Sequence, residues 1–470
     1  MKRFWKTVLL LIAMNYPLAS DICFGLGTDA GNPLWMRYGT RFLSLPVFIL
    51  LILGMLLLEI LPRYEKGLSV RLQVLSGGYE LIATSCWAVF AEILLYAALF
   101  ACRSRGLVEF AWIPSRDYYH QLSYSVLILN TVVAVLVLLI HFQNGFWRTA
   151  FCSGQLGISL RLLMFFFWWL PPVNLILFQK WCSIVRRELI TARNRYRLDQ
   201  TRVENAICRT RYPVVMVHGI FFRDWQYMNY WGRIPQALKR NGATVFYGKQ
   251  QSSLPVAESA RELECEIRRI LAETGAEKVN IVAHSKGGLD SRYAISMLGL
   301  DTCVAALTTV NTPHRGCQFA DDLLGKLPQW LIHFVEGRYN ALFHALGDTK
   351  PNFLGGVTDL TASSCEAFNR TVTDSPAVFY QSVMSKMRSF SSSGFPLNLS
   401  YLLSKKFEGD NDGLVSVSSA AWGNYLGLLT AGRKGISHAD MIDLTHKDVK
   451  GFDVSEFYVS LFSGLREKGF

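Results

Sequence analysis

The chain has 470 residues, 51% of them hydrophobic and only 18% charged, with a mean hydropathy of +0.21. That balance excludes an intrinsically disordered chain, which is polar and poor in aromatics, and ten cysteines in this length exclude a small disulfide-stapled scaffold. The net charge of +12 is uneven: residues 1–178 carry +5, residues 179–211 carry +6 and residues 212–470 carry +1. A basic strip beside an apolar region faces anionic headgroups or sets topology, so no nucleic-acid partner is expected.

Lys2, Arg3 and Lys6 precede an apolar run from Thr7 to Met14. Residues 5–25 therefore read either as a signal peptide or as an extra span. Four further stretches, about 42–61, 81–101, 122–142 and 156–178, reach the ~20 apolar residues that cross hydrocarbon. Residues 1–178 are accordingly expected to form an all-α transmembrane helical bundle of four spans, or five with residues 5–25. Glu92 falls near the middle of the second span and Arg161 near the start of the fourth, and Glu92 is expected to be protonated or paired with a neighbouring helix. Pro171-Pro172 should kink or interrupt the last span. With four spans and an inside N-terminus, the Lys/Arg-rich loops fall on one side and place the C-terminal half in the cytoplasm; a fifth span reverses this. The expected setting is a multi-pass protein of a bacterial plasma membrane. Residues 179–211 have a helix-forming, Arg-rich composition, consistent with a juxtamembrane helix or a plain connector.

From Tyr212 the pattern changes. Val214–Val217, Ala243–Tyr247, Val279–Ala283 and Val304–Val310 are short β-branched runs. Between them, Val256–Glu273 places Val256, Ala260, Leu263, Ile267 and Ile270 three or four residues apart, the spacing of an amphipathic helix. Strands alternating with helices predict an α/β domain with a mostly parallel sheet over residues 212–470. The ten cysteines have no metal-site spacing, and no cofactor or metal is expected.

Val279-Asn-Ile-Val-Ala-His-Ser-Lys-Gly-Gly288 runs a buried strand into a small-residue turn and then a helix. This is the nucleophile-elbow pattern with Ala283 at the first small position. Larger side chains two residues either side of Ser285 clash in so tight a turn. A nucleophilic serine needs a base, and the base needs an orienting acid. In this architecture the acid follows the serine and the histidine follows the acid. Glu408-Gly-Asp-Asn-Asp-Gly-Leu-Val415 supplies the acid: Asp412 is the choice, Asp410 the alternative. His438 is the base, with His446 the alternative. Two backbone N–H groups must hold the oxyanion. They are assigned to Lys286, after the nucleophile, and Ile220, in the loop after the first strand.

Tyr212-Pro-Val-Val-Met-Val-His-Gly219, Gly242-Ala-Thr-Val-Phe246, Val279–Tyr293, Asn311-Thr-Pro-His-Arg-Gly316, Asn411-Asp-Gly-Leu-Val415 and His438-Ala-Asp440 together resemble the bacterial true-lipase family of the α/β-hydrolase superfamily. The resemblance covers about residues 210–450. It implies an α/β-hydrolase fold, Ser285 as nucleophile, Asp412 as acid, His438 as base, and Ile220 and Lys286 as oxyanion donors. It makes His314 a structural residue. Ala283 and Lys286 depart from the family's usual Gly and Gln. The family's structural calcium finds a match in Asp440, but residues 376–407 hold no Asp or Glu for the second carboxylate. Trp330, Phe334, Leu342 and Phe343, within residues 323–346, are expected to form an apolar lid.

The first functional reading is a membrane-anchored serine lipase or carboxylesterase acting on lipid or other acyl esters through an acyl-enzyme. The alternatives are an acyltransferase with the same three residues, an inactive hydrolase-like scaffold of the membrane module, and a transporter using Glu92 and Arg161.

Overall fold

A computed structural model describes residues 2–25, 46–55, 64–111, 121–202, 204–220, 230–345 and 348–470. The chain divides into two compact units, Met1–Arg197 and Leu198–Phe470.

The first unit is helical. Its helices are α1 (Lys2–Met14), α2 (Tyr16–Gly25), α3 (Pro46–Met55), α4 (Val70–Ser104), α5 (Tyr124–Cys152) and α6 (Ile158–Phe167), followed by α7 (Val173–Arg202), which carries much of the basic strip. A short parallel pair, β1 (Glu109–Ala111) and β2 (Gln121–Ser123), joins α4 to α5. Among the described residues only α4 and α5 are long and apolar enough to cross a membrane. The expected spans 81–101 and 122–142 fall largely on these two helices. Most of the stretch 42–61 outside 46–55 lies beyond the described residues. The stretch 156–178 is not one helix: α6 ends at Phe167 and residues 168–172 turn before α7 begins. Pro171 and Pro172 have no N–H to donate and crowd the preceding turn, so the helix stops there. The stretch 5–25 also breaks, at Asn15, between α1 and α2.

Polar groups in this unit face one another. Asn15 Nδ2 donates to Glu92 Oε2 at 2.8 Å, and Asn130 Nδ2 donates to Asn15 Oδ1 at 2.9 Å. Glu92 is thus paired with a neighbouring helix. Thr84 Oγ1 lies 2.8 Å from His141 Nε2. Arg161 Nη2 donates to the Ser153 carbonyl at 2.6 Å.

The second unit is built on a six-stranded sheet in the order β4-β3-β5-β6-β7-β8, parallel throughout. Its strands are β3 (Val214–Val217), β4 (Val245–Tyr247), β5 (Val279–His284), β6 (Val304–Val310), β7 (Phe379–Ser385) and β8 (Asn424–Leu429). Side chains alternate across a strand, and β3 shows the consequence. Val214 and Met216 join one core cluster, while Val215 and Val217 join the cluster on the opposite face. Both faces are therefore covered, as parallel sheets require.

On one face α9 (Val256–Thr274) buries Val256, Ala260, Leu263, Ile267 and Ile270. Full burial of a large aliphatic side chain stabilises by about 1.5–3 kcal/mol, which holds α9 to the sheet. The helix stops at Gly275, whose φ of 66° closes a left-handed cap onto the Leu271 carbonyl. On the other face α8 (Ile234–Arg240) and the C-terminal helix Val454–Glu467 bury Ile234, Leu238, Tyr458 and Phe462. The site sits at the carboxyl ends of β3, β5 and β6 and in the loops that follow β7 and β8.

Candidate active site

β5 runs straight into Ser285, and α10 (Gly287–Met297) starts two residues later. Ser285 has φ = 55°, a left-handed conformation that a side chain other than glycine rarely adopts. Three hydrogen bonds hold this strained turn. Ser285 N donates to the Val310 carbonyl at 3.0 Å, and the Ser285 carbonyl accepts from Gly288 N at 3.1 Å and Thr312 Oγ1 at 2.8 Å. The small residues have steric reasons. A Cβ on Gly287 would lie 2.5 Å from the His218 carbonyl, and one on Gly219 would lie 2.7 Å from Ser285 Cβ. Gly219, just after β3, therefore packs directly against Ser285. Ile220 follows Gly219 there. Among the described residues, the backbone N–H groups of Ile220 and Lys286 engage in no hydrogen bond.

Asp412 lies in the tight loop 411–416, after β7 and before β8, and is fully buried. Its Oδ1 accepts the backbone N–H groups of Leu414 (2.9 Å) and Val415 (2.8 Å). Its Oδ2 accepts His438 Nδ1 at 2.6 Å and Asn311 Nδ2 at 2.6 Å. The His438 N–H also donates to the Asp412 carbonyl at 2.9 Å, which locks the two loops together. The His438 ring sits 4.4 Å from the ring of His284, the residue before Ser285. Base and elbow are thus side by side. Among the described residues Ser285 Oγ makes no hydrogen bond to His438, a distance that commonly tightens only with substrate bound. Ser285 is 5% exposed and His438 7%.

The alternative residues lie elsewhere. Asp410 is exposed and paired with Lys386 at 2.7 Å, which lowers its pKa from the ordinary carboxylate value. His446 is exposed. His314 is fully buried, bonded to Thr309 Oγ1 at 2.9 Å and stacked on Trp422. Burial, with Arg292 and Arg315 nearby, lowers its pKa well below the histidine range. Asp440 accepts the Ser437 N–H (2.9 Å) and Oγ (2.7 Å). Lys286, which departs from the resemblance, turns its side chain away from the site. Its Nζ is buried against Asp290 Oδ1 and Ser259 Oγ, both at 2.8 Å. In the expected lid, helix α12 (Gln329–Ala345) exposes Trp330, Phe334 and Leu342 but buries Phe343.

Three supporting residues carry no signal beyond their place in the chain. Tyr230 OH accepts the Gly219 N–H at 3.0 Å and lies 2.7 Å from His284 Nδ1, linking the loop after β3 to the elbow. Burial first, then the His438 charge, lowers the His284 pKa well below its ordinary value. Arg233 grips the base loop: Nε and Nη2 reach the two oxygens of buried Asp443, each at 2.7 Å, and Nη1 reaches Asp448 at 3.0 Å.

The covered parallel sheet, with its strand–elbow–helix at the carboxyl edge, defines an α/β-hydrolase fold. Residues 212–423 match the family described as the alpha/beta hydrolase fold. A triacylglycerol lipase of Pseudarthrobacter phenanthrenivorans is 35% identical over 174 residues, 34% of this chain and 54% of its own length. Triacylglycerol lipase 2 of Saccharomyces cerevisiae is 28% identical over 263 residues, 52% of this chain and 75% of its own length. The crystal structure of Bacillus licheniformis lipase BlEst2 in mature form aligns with a TM-score of 0.41 and 20% identity, covering 53% of this chain and 91% of that one. The chain spans about half the length of the first of these lipases.

Proposed function

We propose that this chain is a membrane-anchored serine hydrolase, a lipase or carboxylesterase acting on lipid or other acyl esters. The observation that carries the proposal is the buried Asp412–His438 hydrogen bond of 2.6 Å beside a serine held at φ = 55°. In this reading His438 Nε2 takes the proton of Ser285 as Oγ attacks the ester carbonyl. The N–H groups of Ile220 and Lys286 receive the developing oxyanion. Imidazolium then protonates the leaving alcohol, and water admitted to the acyl-enzyme reverses the sequence. The similarity to triacylglycerol lipases supports an acyl-ester substrate.

Anchoring rests on α4 and α5. Only 11% and 17% of their most apolar windows are buried inside the protein, which is a poor fit to a water-facing surface. The nine Lys and Arg of residues 179–211 precede the hydrolase unit directly, and the positive-inside rule assigns that unit to the cytoplasmic side. The catalytic proposal is tested by titrating fatty acid released from emulsified triacylglycerol and from a short-chain ester by the full chain and by Ser285→Ala. Release by the wild type that vanishes in the variant supports it. Equal release by both removes Ser285 from the chemistry.

A further inference from the structure

We infer that Asn311 is a positioning residue for the carboxylate of Asp412, an inference that rests on the Ser285–His438–Asp412 reading. Asn311 directly follows β6, is fully buried and has φ = 50°, a conformation asparagine tolerates better than most residues. Its side chain spans three elements. Nδ2 donates to Asp412 Oδ2 at 2.6 Å and to Ser385 Oγ, at the end of β7, at 2.8 Å; Oδ1 accepts the Ser385 N–H at 3.0 Å. Its backbone N–H donates to the Val383 carbonyl at 3.0 Å.

The orientation of the amide follows from chemistry. The Ser385 N–H can only donate, so Oδ1 must face it. Nδ2 is thereby turned toward Asp412, and both of its hydrogens are used.

The role follows from the carboxylate's other bonds. Oδ1 is fixed by two backbone N–H groups of its own loop. Oδ2 bonds His438, whose charge changes in every turnover. Asn311 gives Oδ2 a second donor that stays neutral and is anchored to the sheet. The carboxyl plane is then set by β6 and β7 rather than by the imidazole it must orient. The same bond draws charge from the carboxylate. Without it, the full negative charge faces His438 and favours imidazolium. The other titratable groups around the pair are His284 on β5, Tyr230 bonded to it, Asp440 in the base loop and Cys317 ahead of α11 (Gln318–Lys326). Asn311→Leu changes none of them.

The test uses the full-length chain in detergent, with Asn311→Leu and Asn311→Asp. A fluorophosphonate probe reports the reactivity of Ser285, and ester hydrolysis reports kcat, KM and the pH profile. Asn311→Leu is expected to lower kcat and the labelling rate about 10- to 100-fold, with KM within twofold, and to move the acidic limb of kcat/KM to higher pH. A purely structural role would reduce the active fraction and leave the profile of the remainder unchanged. Asn311→Asp covers the case in which the leucine variant fails to fold. Two buried carboxyls must share a proton, and the protonated one donates in place of the amide. That variant should be active only where the imidazole is neutral and the carboxyl pair still holds its shared proton, and lose activity as that proton leaves. A folded Asn311→Leu protein with wild-type kcat and profile, or an Asn311→Asp protein with a wild-type profile, overturns the inference. Wild type that is not labelled at Ser285 overturns the triad reading instead, so the two failures are separable.

Discussion

Helices α4 and α9 are built in opposite senses. On α4, Trp87, Phe90, Ile93 and Leu94 point outward while Thr84 and Ser85 are buried. On α9, Val256, Leu263, Ile267 and Ile270 are buried while Arg261, Arg268 and Arg269 point outward. In the first unit, polar contacts such as Asn15–Glu92 and Asn130–Asn15 lie between helices. In the second, apolar clusters cover both faces of a sheet and the buried polar groups gather at its carboxyl edge. The outer face of α4 is apolar and that of α9 is charged. The hydrolase unit spends its buried polarity on the loops that hold Asp412 and His438.

The chemistry proposed above lies wholly in the second unit, and its sharpest test is Asp412→Asn. An amide at this position leaves the fold intact but favours the wrong imidazole tautomer. The expected loss is on the order of 10⁴-fold in kcat, read from ester hydrolysis beside an unchanged circular dichroism spectrum. A loss under tenfold would detach Asp412 from the base.

Next in size is Arg233→Ala, which leaves the buried carboxylate of Asp443 without its bidentate partner. Removing one side of such a pair costs about 3–5 kcal/mol, seen as a lower unfolding midpoint of the hydrolase unit. A shift worth less than 1 kcal/mol would show that the base loop does not depend on it.

A matched pair sharpens the contrast between the helices. Leu263→Ala on α9 should destabilise the hydrolase unit by about 2–5 kcal/mol through a cavity. Ile93→Arg on α4 should leave that unit's unfolding untouched and instead oppose membrane insertion by about 2.5–3.5 kcal/mol, measured as the inserted fraction in a glycosylation-mapping assay. An arginine accepted at 93 without loss of insertion would mean that this face meets water.

The smallest effect is set by pH. The pKa values of His284 and His314 are both held well below 6.5 in the folded state, chiefly by burial. Above 6.5 neither the folded nor the unfolded chain protonates them, and their contribution to stability is complete. As pH falls through 6.5 the unfolded chain takes up protons that the folded one refuses. Stability then declines by up to about 1.4 kcal/mol per pH unit for each histidine. Urea midpoints at pH 8 and pH 5.5 should differ in this direction, and His314→Gln should shrink the difference. An equal difference in the variant would assign the acid sensitivity to other groups.

Sequence alone carried the front of the hydrolase fold well. Strand β3 is a continuous apolar run, β5 and β6 are rich in β-branched residues, and α9 has clean helical spacing, so local pattern and buried position agree. Strands β7 and β8 were not legible. Gln381, Ser382 and Ser385 of β7 are polar yet buried, bonded to Thr308, to the Trp422 carbonyl and to Asn311, and β8 holds Gly427 at φ = 119°. Residues 156–178 read as one span with an interruption expected at Pro171-Pro172, and the helix indeed stops at Phe167 and resumes at Val173. The sequence choice of Asp412 and His438 comes from chain order and that of Ser285 from small-residue spacing; the fold adds the 2.6 Å Asp412–His438 hydrogen bond and the φ of 55° at Ser285. Asn311, Tyr230 and Arg233 were not legible, because each acts through a partner 54 to 210 positions from the residue that needs it or from itself, and only the folded chain brings them together.

The central claim is that Ser285 is an activated nucleophile. It is tested most directly by reacting the folded, full-length protein with a fluorophosphonate probe and locating the adduct by peptide mass. The account predicts one adduct, on Ser285, abolished by Ser285→Ala and slowed by about the same factor as hydrolysis in Asp412→Asn. Folded protein that takes no label, or takes it on another residue, contradicts it.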